Sequence, residues 1–91
     1  MLNIIEVKTK DQKLIRLTLT QWKHIVYRHP EMSSKLIDIE NMLLYPSYIK
    51  DEEEIKKYYK YIKDIHKYIM VAIRILNGDG FVMTSYLTRK I

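Results

Sequence analysis

The chain has 91 residues, enough to bury one hydrophobic core but too few for two domains of ordinary size. Having no cysteine, it can build neither a disulfide framework nor a thiolate-ligated zinc or iron–sulfur site, so its core is expected to hold by packing alone. Lys and Arg number 16 against 11 Asp and Glu, a net charge of +5, and with acids grouped at Asp51, Glu52, Glu53 and Glu54 the remaining surface is more basic than the total implies, which favours polyanions.

The opening MLNIIEVKTK has no charged leader followed by a long apolar run, and no segment reaches the roughly 20 apolar residues of a membrane span. A soluble cytoplasmic protein with one domain over residues 1–91 is expected. Ile4, Ile5 and Val7 read as a first strand, and Ile15, Leu17 and Leu19 alternate along a return strand after the polar connection KTKDQK. Thr20 is placed to cap a helix running to about His29, where Pro30 ends it. On that helix Trp22, Ile25, Val26 and His29 share one stripe, and His24 and Arg28 share another. Ser33 or Ser34 would cap a second helix to about Leu44, with Leu36, Ile37, Ile39, Leu43 and Leu44 as its apolar face.

Strand signals follow. Tyr48 and Ile49 suggest a short strand before the acidic turn; IKKYYKYI, residues 55–62, favours a strand by its aromatics, although its lysines leave a helix open. From Tyr68 to Leu76, Ile69, Val71, Ile73 and Ile75 line one face and Met70, Ala72 and Arg74 the other. Asn77, Gly78, Asp79 and Gly80 form the clearest turn, leading into a last strand over Phe81 to Thr88. If Phe81, Met83 and Leu87 face the helices, Thr84, Tyr86 and Thr88 point the other way. The order predicts an α+β fold: an N-terminal strand pair and two helices packed on an antiparallel sheet of three to four C-terminal strands.

Three patterns carry candidate chemistry. HIVYRHPE, residues 24–31, sets His24, Arg28 and His29 on about two turns of helix. Imidazole exchanges a proton near neutral pH, and a guanidinium can hold a phosphate by paired hydrogen bonds. A His29 bonded to backbone near the helix end and an exposed, idle His24 would fit the same spacing. On a strand, Lys57, Tyr59 and Tyr61 fall on one face and Lys56, Tyr58 and Lys60 on the other, so either face could meet RNA; a sheet edge kept soluble by lysine is the plainer alternative. In TSYLTRK, residues 84–90, the hydroxyls of Thr84, Tyr86 and Thr88 could bind a phosphate beside Arg89 and Lys90, or simply form a cross-strand ladder. The histidines His24, His29 and His66 match no zinc spacing, the acidic run lacks the pattern of a calcium loop, and there is no phosphate-cradling glycine loop or nucleophile elbow. No metal and no cofactor is expected.

Taken in order, LTLTQWKHI, RHPE, LLYPSYI, the YYK strand, YIMVAIRI and GFVMTSYLTRK resemble the small toxin-type endoribonucleases of the barnase, EndoU, colicin and RelE-like group, in particular its phage-associated branch, over nearly the whole chain. The resemblance implies that group's compact fold and a metal-independent cut of RNA, in which a 2′-hydroxyl attacks the adjacent phosphorus and leaves a cyclic phosphate. By the same resemblance His24 and His29 are the general base and acid, and Tyr59, Thr84 and Tyr86 orient the phosphate or transfer a proton. Arg28 and Arg74 would stabilise the developing charge, and Lys57 or Lys60 would supply the basic residue beside the aromatic strand. A toxin role, with RNA as substrate and an antitoxin protein as partner, is implied with it. The alternative is a non-catalytic RNA-binding or protein-interaction domain that uses the lysine and tyrosine strand.

Overall fold

The computed structural model describes residues 2–91. Strands β1 (Asn3–Lys8) and β2 (Leu14–Thr18) form the N-terminal antiparallel hairpin. The chain passes from β2 directly into helix α1 (Leu19–Arg28), so Leu19, expected on the strand, is the first helical residue. Thr18 rather than Thr20 is the cap: its extended backbone (φ −80°, ψ 155°) sets its hydroxyl to accept from the Gln21 amide at 3.1 Å, a geometry closed to Thr20 inside the first turn. His29 closes α1, and Pro30 opens a 3-10 turn, Pro30–Ser34, that contains both serines expected to cap the second helix. Helix α2 (Leu36–Leu44) instead starts after Lys35 with no side-chain cap. Its stripe of Leu36, Ile39 and Leu43, joined by Met42, packs on the core, whereas Ile37, off that stripe, is 74% exposed.

The remaining chain is four strands, β3 (Tyr48–Glu52), β4 (Ile55–Ile62), β5 (Lys67–Leu76) and β6 (Asp79–Thr88). The lysine-rich segment is thus a strand, and the turn before β6 has Asn77 and Gly78 at φ 51° and 87°, as its composition implies. The α+β class holds, but the sheet departs from the expectation: all six strands form one sheet in the order β1-β2-β6-β5-β4-β3. It is mixed, because β2 runs parallel to β6 through Leu14, Ile15 and Arg16 against Asp79, Gly80 and Phe81. The Arg16 guanidinium secures that joint, 3.1 Å from Asp79 and 3.4 Å from Glu6.

Both helices lie on one face of the sheet. Ile25 of α1, Met32 of the 3-10 turn and Ile39, Met42 and Leu43 of α2 bury against Ile5, Ile15, Leu17, Tyr58, Ile69, Val71, Ile73 and Val82. Full burial of an aliphatic side chain contributes about 1.5–3 kcal/mol, so this layer fixes where α1 sits. The last strand corrects a second expectation. Ala72 pairs with Thr84 and Ile73 with Val82, leaving Met83 as an extra residue in a bulge. The bulge shifts the alternation: Val82 and Ser85 are buried and Leu87 packs against the core, whereas Phe81 and Met83, assigned to the helix side, are 40% and 37% exposed. C-terminal to the bulge the outward set of Thr84, Tyr86 and Thr88 stands.

Candidate functional site

The strand registers order the face of the sheet turned away from the helix layer. Directly opposed residues in a sheet project to the same side, which sets Tyr48, Tyr59, Met70 and Tyr86 in one row across four strands. Lys50, Lys57, Ala72 and Thr84 form the next row, and Tyr61, Tyr68 and Thr88 flank the tyrosine row on its other side. Tyr59, Met70 and Ala72 are buried as a small second core, with Tyr68 and Tyr86 packed against it. The rings meet edge to face, Tyr48 with Tyr59 at 6.2 Å, Tyr59 with Tyr68 at 6.3 Å and Tyr61 with Tyr68 at 5.2 Å between centroids.

A histidine from the helix layer reaches this face. Strand β2 leaves β6 after three paired residues, and α1, continuing from β2, runs on beside β6, where the Gln21 side-chain amide donates to the carbonyl of the bulged Met83. The end of α1 therefore lies at the flank of the sheet, and the His29 ring stands 5.2 Å from that of Tyr86, tilted by 43°. His29 is partly buried, and its Nδ1 lies 3.9 Å from the Glu31 carboxylate, too long for a hydrogen bond but within reach of an ion pair once the ring is protonated.

Lys57 projects from the same face as Ala72 and Thr84. Its ammonium is 3.7 Å from Glu52, which also lies 3.8 Å from Lys50. Such partly exposed pairs are weak, so an incoming phosphate can compete for both lysines. Burial raises the Tyr59 phenol above its usual range, opposed in part by Lys57, with Tyr86 close enough to add to the rise. Tyr59 is thus a hydrogen-bond donor at neutral pH, not a base.

Of the residues singled out in the sequence, the fold gathers His29, Tyr59, Thr84, Tyr86 and Lys57 on one face. His24 is exposed on α1 about 140° round the helix from His29, so the two imidazoles do not share a site. Arg28 is exposed beside it. Lys60 pairs with Ile69 and belongs to the helix side of the sheet. Arg74 is on the tyrosine side, two positions beyond Ala72, with its guanidinium 3.3 Å from Glu54. Arg89 and Lys90 are exposed beyond the end of β6.

The chain matches no family model, and no curated protein or solved structure is similar to it. Among the described residues no three His, Cys, Asp or Glu side chains are gathered in a way that could hold a metal ion, and no helix is long and apolar enough to cross a membrane. The structure adds Tyr48, Lys50, Tyr68, Met70, Ala72 and Glu31 to the site. Period-two alternation groups residues within one strand, but only the register between strands sets these side by side. His66, whose Nδ1 is 3.1 Å from the Tyr61 hydroxyl, closes the far end of the tyrosine cluster.

Proposed function

We propose that this tyrosine-floored face binds single-stranded RNA and cuts it, with His29 moving the proton. The observation that carries the reading is the His29 ring against Tyr86 at the flank of a tyrosine row whose neighbouring row, on the same face, holds Lys57 and Thr84. Aromatic side chains on an open sheet accept unstacked bases, and flanking lysines track the backbone.

In the proposed reaction His29 takes the proton of a 2′-hydroxyl as its oxygen bonds to the adjacent phosphorus. The bond from phosphorus to the 5′-oxygen breaks, and that oxygen takes a proton from the Tyr86 phenol or from water, leaving a 2′,3′-cyclic phosphate. Lys57 faces the charge that builds on the phosphoryl oxygens, and Thr84 and Tyr59 donate hydrogen bonds that orient them. Toxicity to a host cell, held in check by an antitoxin that covers this face, is the setting such an activity fits.

A second reading, a domain that binds RNA without cutting it, draws on the position of His24: with that ring turned away, one imidazole serves the site. Incubation of labelled single-stranded RNA with the protein in EDTA at neutral pH separates the two. The nuclease reading expects fragments ending in cyclic phosphate, lost at least 100-fold in His29→Ala, in line with the usual worth of a general base, while binding persists. Intact RNA bound by both proteins establishes the second reading instead.

A further inference from the structure

Among the described residues strand β3 ends the sheet, with β4 on one side and no strand on the other, and all five of its residues are exposed. An open edge offers a row of unpaired amides and carbonyls to any further strand, and edges are commonly blunted by short strands, charged side chains, proline or bulges. Here Lys50, Asp51 and Glu52 charge the second part of the strand, but its pairing with β4 runs without a bulge and its first part presents Tyr48 and Ile49 at 50% and 43% exposure. Beside Ile49, on the helix side, is a pocket of about 140 Å³ whose apolar wall is Leu43, Leu44, Pro46 and Tyr58. An edge strand with apolar residues at the mouth of an apolar pocket is the arrangement that strand addition uses.

We infer that two copies of the chain pair antiparallel through β3, with Ile49 of one copy against Ile49 of the other. A two-fold axis perpendicular to the sheet keeps each residue on its own face, so only registers that match like faces are possible. Centring the pair on Lys50 puts lysine against lysine and Ile49 against Asp51. Centring it on Asp51 puts carboxylate against carboxylate and Ile49 against Glu53. Directly opposed like charges destabilise a strand pair, and each of these registers also sets an isoleucine against an acid. Centring it on Tyr48 leaves Tyr48 as the one β3 residue opposite β3, with Lys50 against Pro46, which has no amide to donate. Centring it on Ile49 avoids these faults: the isoleucines meet beside the two pockets, each Tyr48 ring lies across from a Lys50 ammonium, and each Asp51 faces Ser47. The two sheets become one, with both tyrosine-rich faces on the same side. The pairing stands whether or not that face cuts RNA.

The natural protein, which has no cysteine, permits a direct test. Sedimentation velocity over rising concentration is expected to show a monomer–dimer equilibrium. Ile49→Lys should weaken it more than tenfold, and Ile37→Lys, a change at a still more exposed isoleucine on α2, should leave it unaltered. Circular dichroism identifies a variant that has lost its fold. In single-cysteine variants, dibromobimane, which fluoresces on bridging two thiols, should link Ile49→Cys and not Lys50→Cys or Asp51→Cys. A protein that stays monomeric at every concentration, as it would if only a different chain used this edge, overturns the inference, and so does bridging at position 50 or 51 in place of 49.

Discussion

Gly80 sits where three strands meet, opposite Ile15 on β2 and Ile75 on β5. A Cβ there would lie 2.6 Å from Cδ1 of Ile15 and 2.8 Å from Cγ2 of Ile73. The Ile15 methyl ends a side chain and can swing, but Cγ2 of Ile73 is fixed to its own Cβ within a buried layer, so the strands themselves must part. Gly80→Ala is expected to cost about 1–3 kcal/mol by urea denaturation, the usual penalty of overpacking. The loss should exceed that of Gly78→Ala, two residues away, where nothing lies within 4 Å and only the strain of a residue at φ 87° is added. Because Gly80 is also one of the three β6 residues paired with β2 in the parallel joint, the same change should disturb the place of α1 and the contact between His29 and Tyr86.

At the scale of elements, the turn between β1 and β2 is tied to β4 by Lys56, whose ammonium is 2.7 Å from Asp11. Asp11 also accepts from the Thr9 hydroxyl. The bond from Lys56 is the main reason the Asp11 carboxyl lies below its usual range, and the bond to Asp11 is the main reason the Lys56 ammonium lies above its own. The carboxylate's contribution to stability is full above about pH 4, its unfolded value, and fades as pH falls through the lowered folded value. That of the ammonium is full below about pH 10.4 and fades as pH rises through the raised one. Asp11→Asn should therefore flatten the stability profile at both ends, read from thermal melts at pH 2 to 11, and lower the plateau by no more than about 1 kcal/mol for so exposed a pair. Little of this was legible in the sequence, where Asp11 was one polar residue of a hairpin connection. Elements of strong alternation were legible: β5 has the faces that Ile69, Val71, Ile73 and Ile75 imply, since period two needs no partner to define it. The first half of β6 was not, because a bulge at Met83 leaves no mark in a run of apolar and hydroxyl residues. The caps were misplaced for a related reason: several threonines and serines stand near each helix start, and only backbone angles select Thr18 or pass over Ser33 and Ser34.

For the whole molecule, the sheet divides the basic residues between two sides, and a net charge of +5 does not say which side a polyanion would choose. Alternation in β4 already separated Lys57 and Tyr59 from Lys60. What it could not supply was His29 beside Tyr86, which arises because β2 runs parallel to β6 for three residues and then yields its place to α1. Under the proposed function, that long-range arrangement favours the tyrosine face for RNA: it would combine stacking partners for bases with Lys50, Lys57 and the proposed proton-transfer group, whereas the side that carries Lys60 is occupied by the helices. Each lysine that neutralises a phosphate steepens the salt dependence of binding by about one counterion, independent of sequence. Lys57→Ala is therefore expected to weaken binding of single-stranded RNA and to reduce the slope of log affinity against log salt by about 0.7, the single-strand value for one phosphate. Lys60→Ala, which removes the same charge from the opposite side, should leave that slope unchanged. Fluorescence anisotropy at 50 to 300 mM salt measures both. Equal losses would mean that RNA responds to total charge rather than to this face, and the assignment of the site would fail with it.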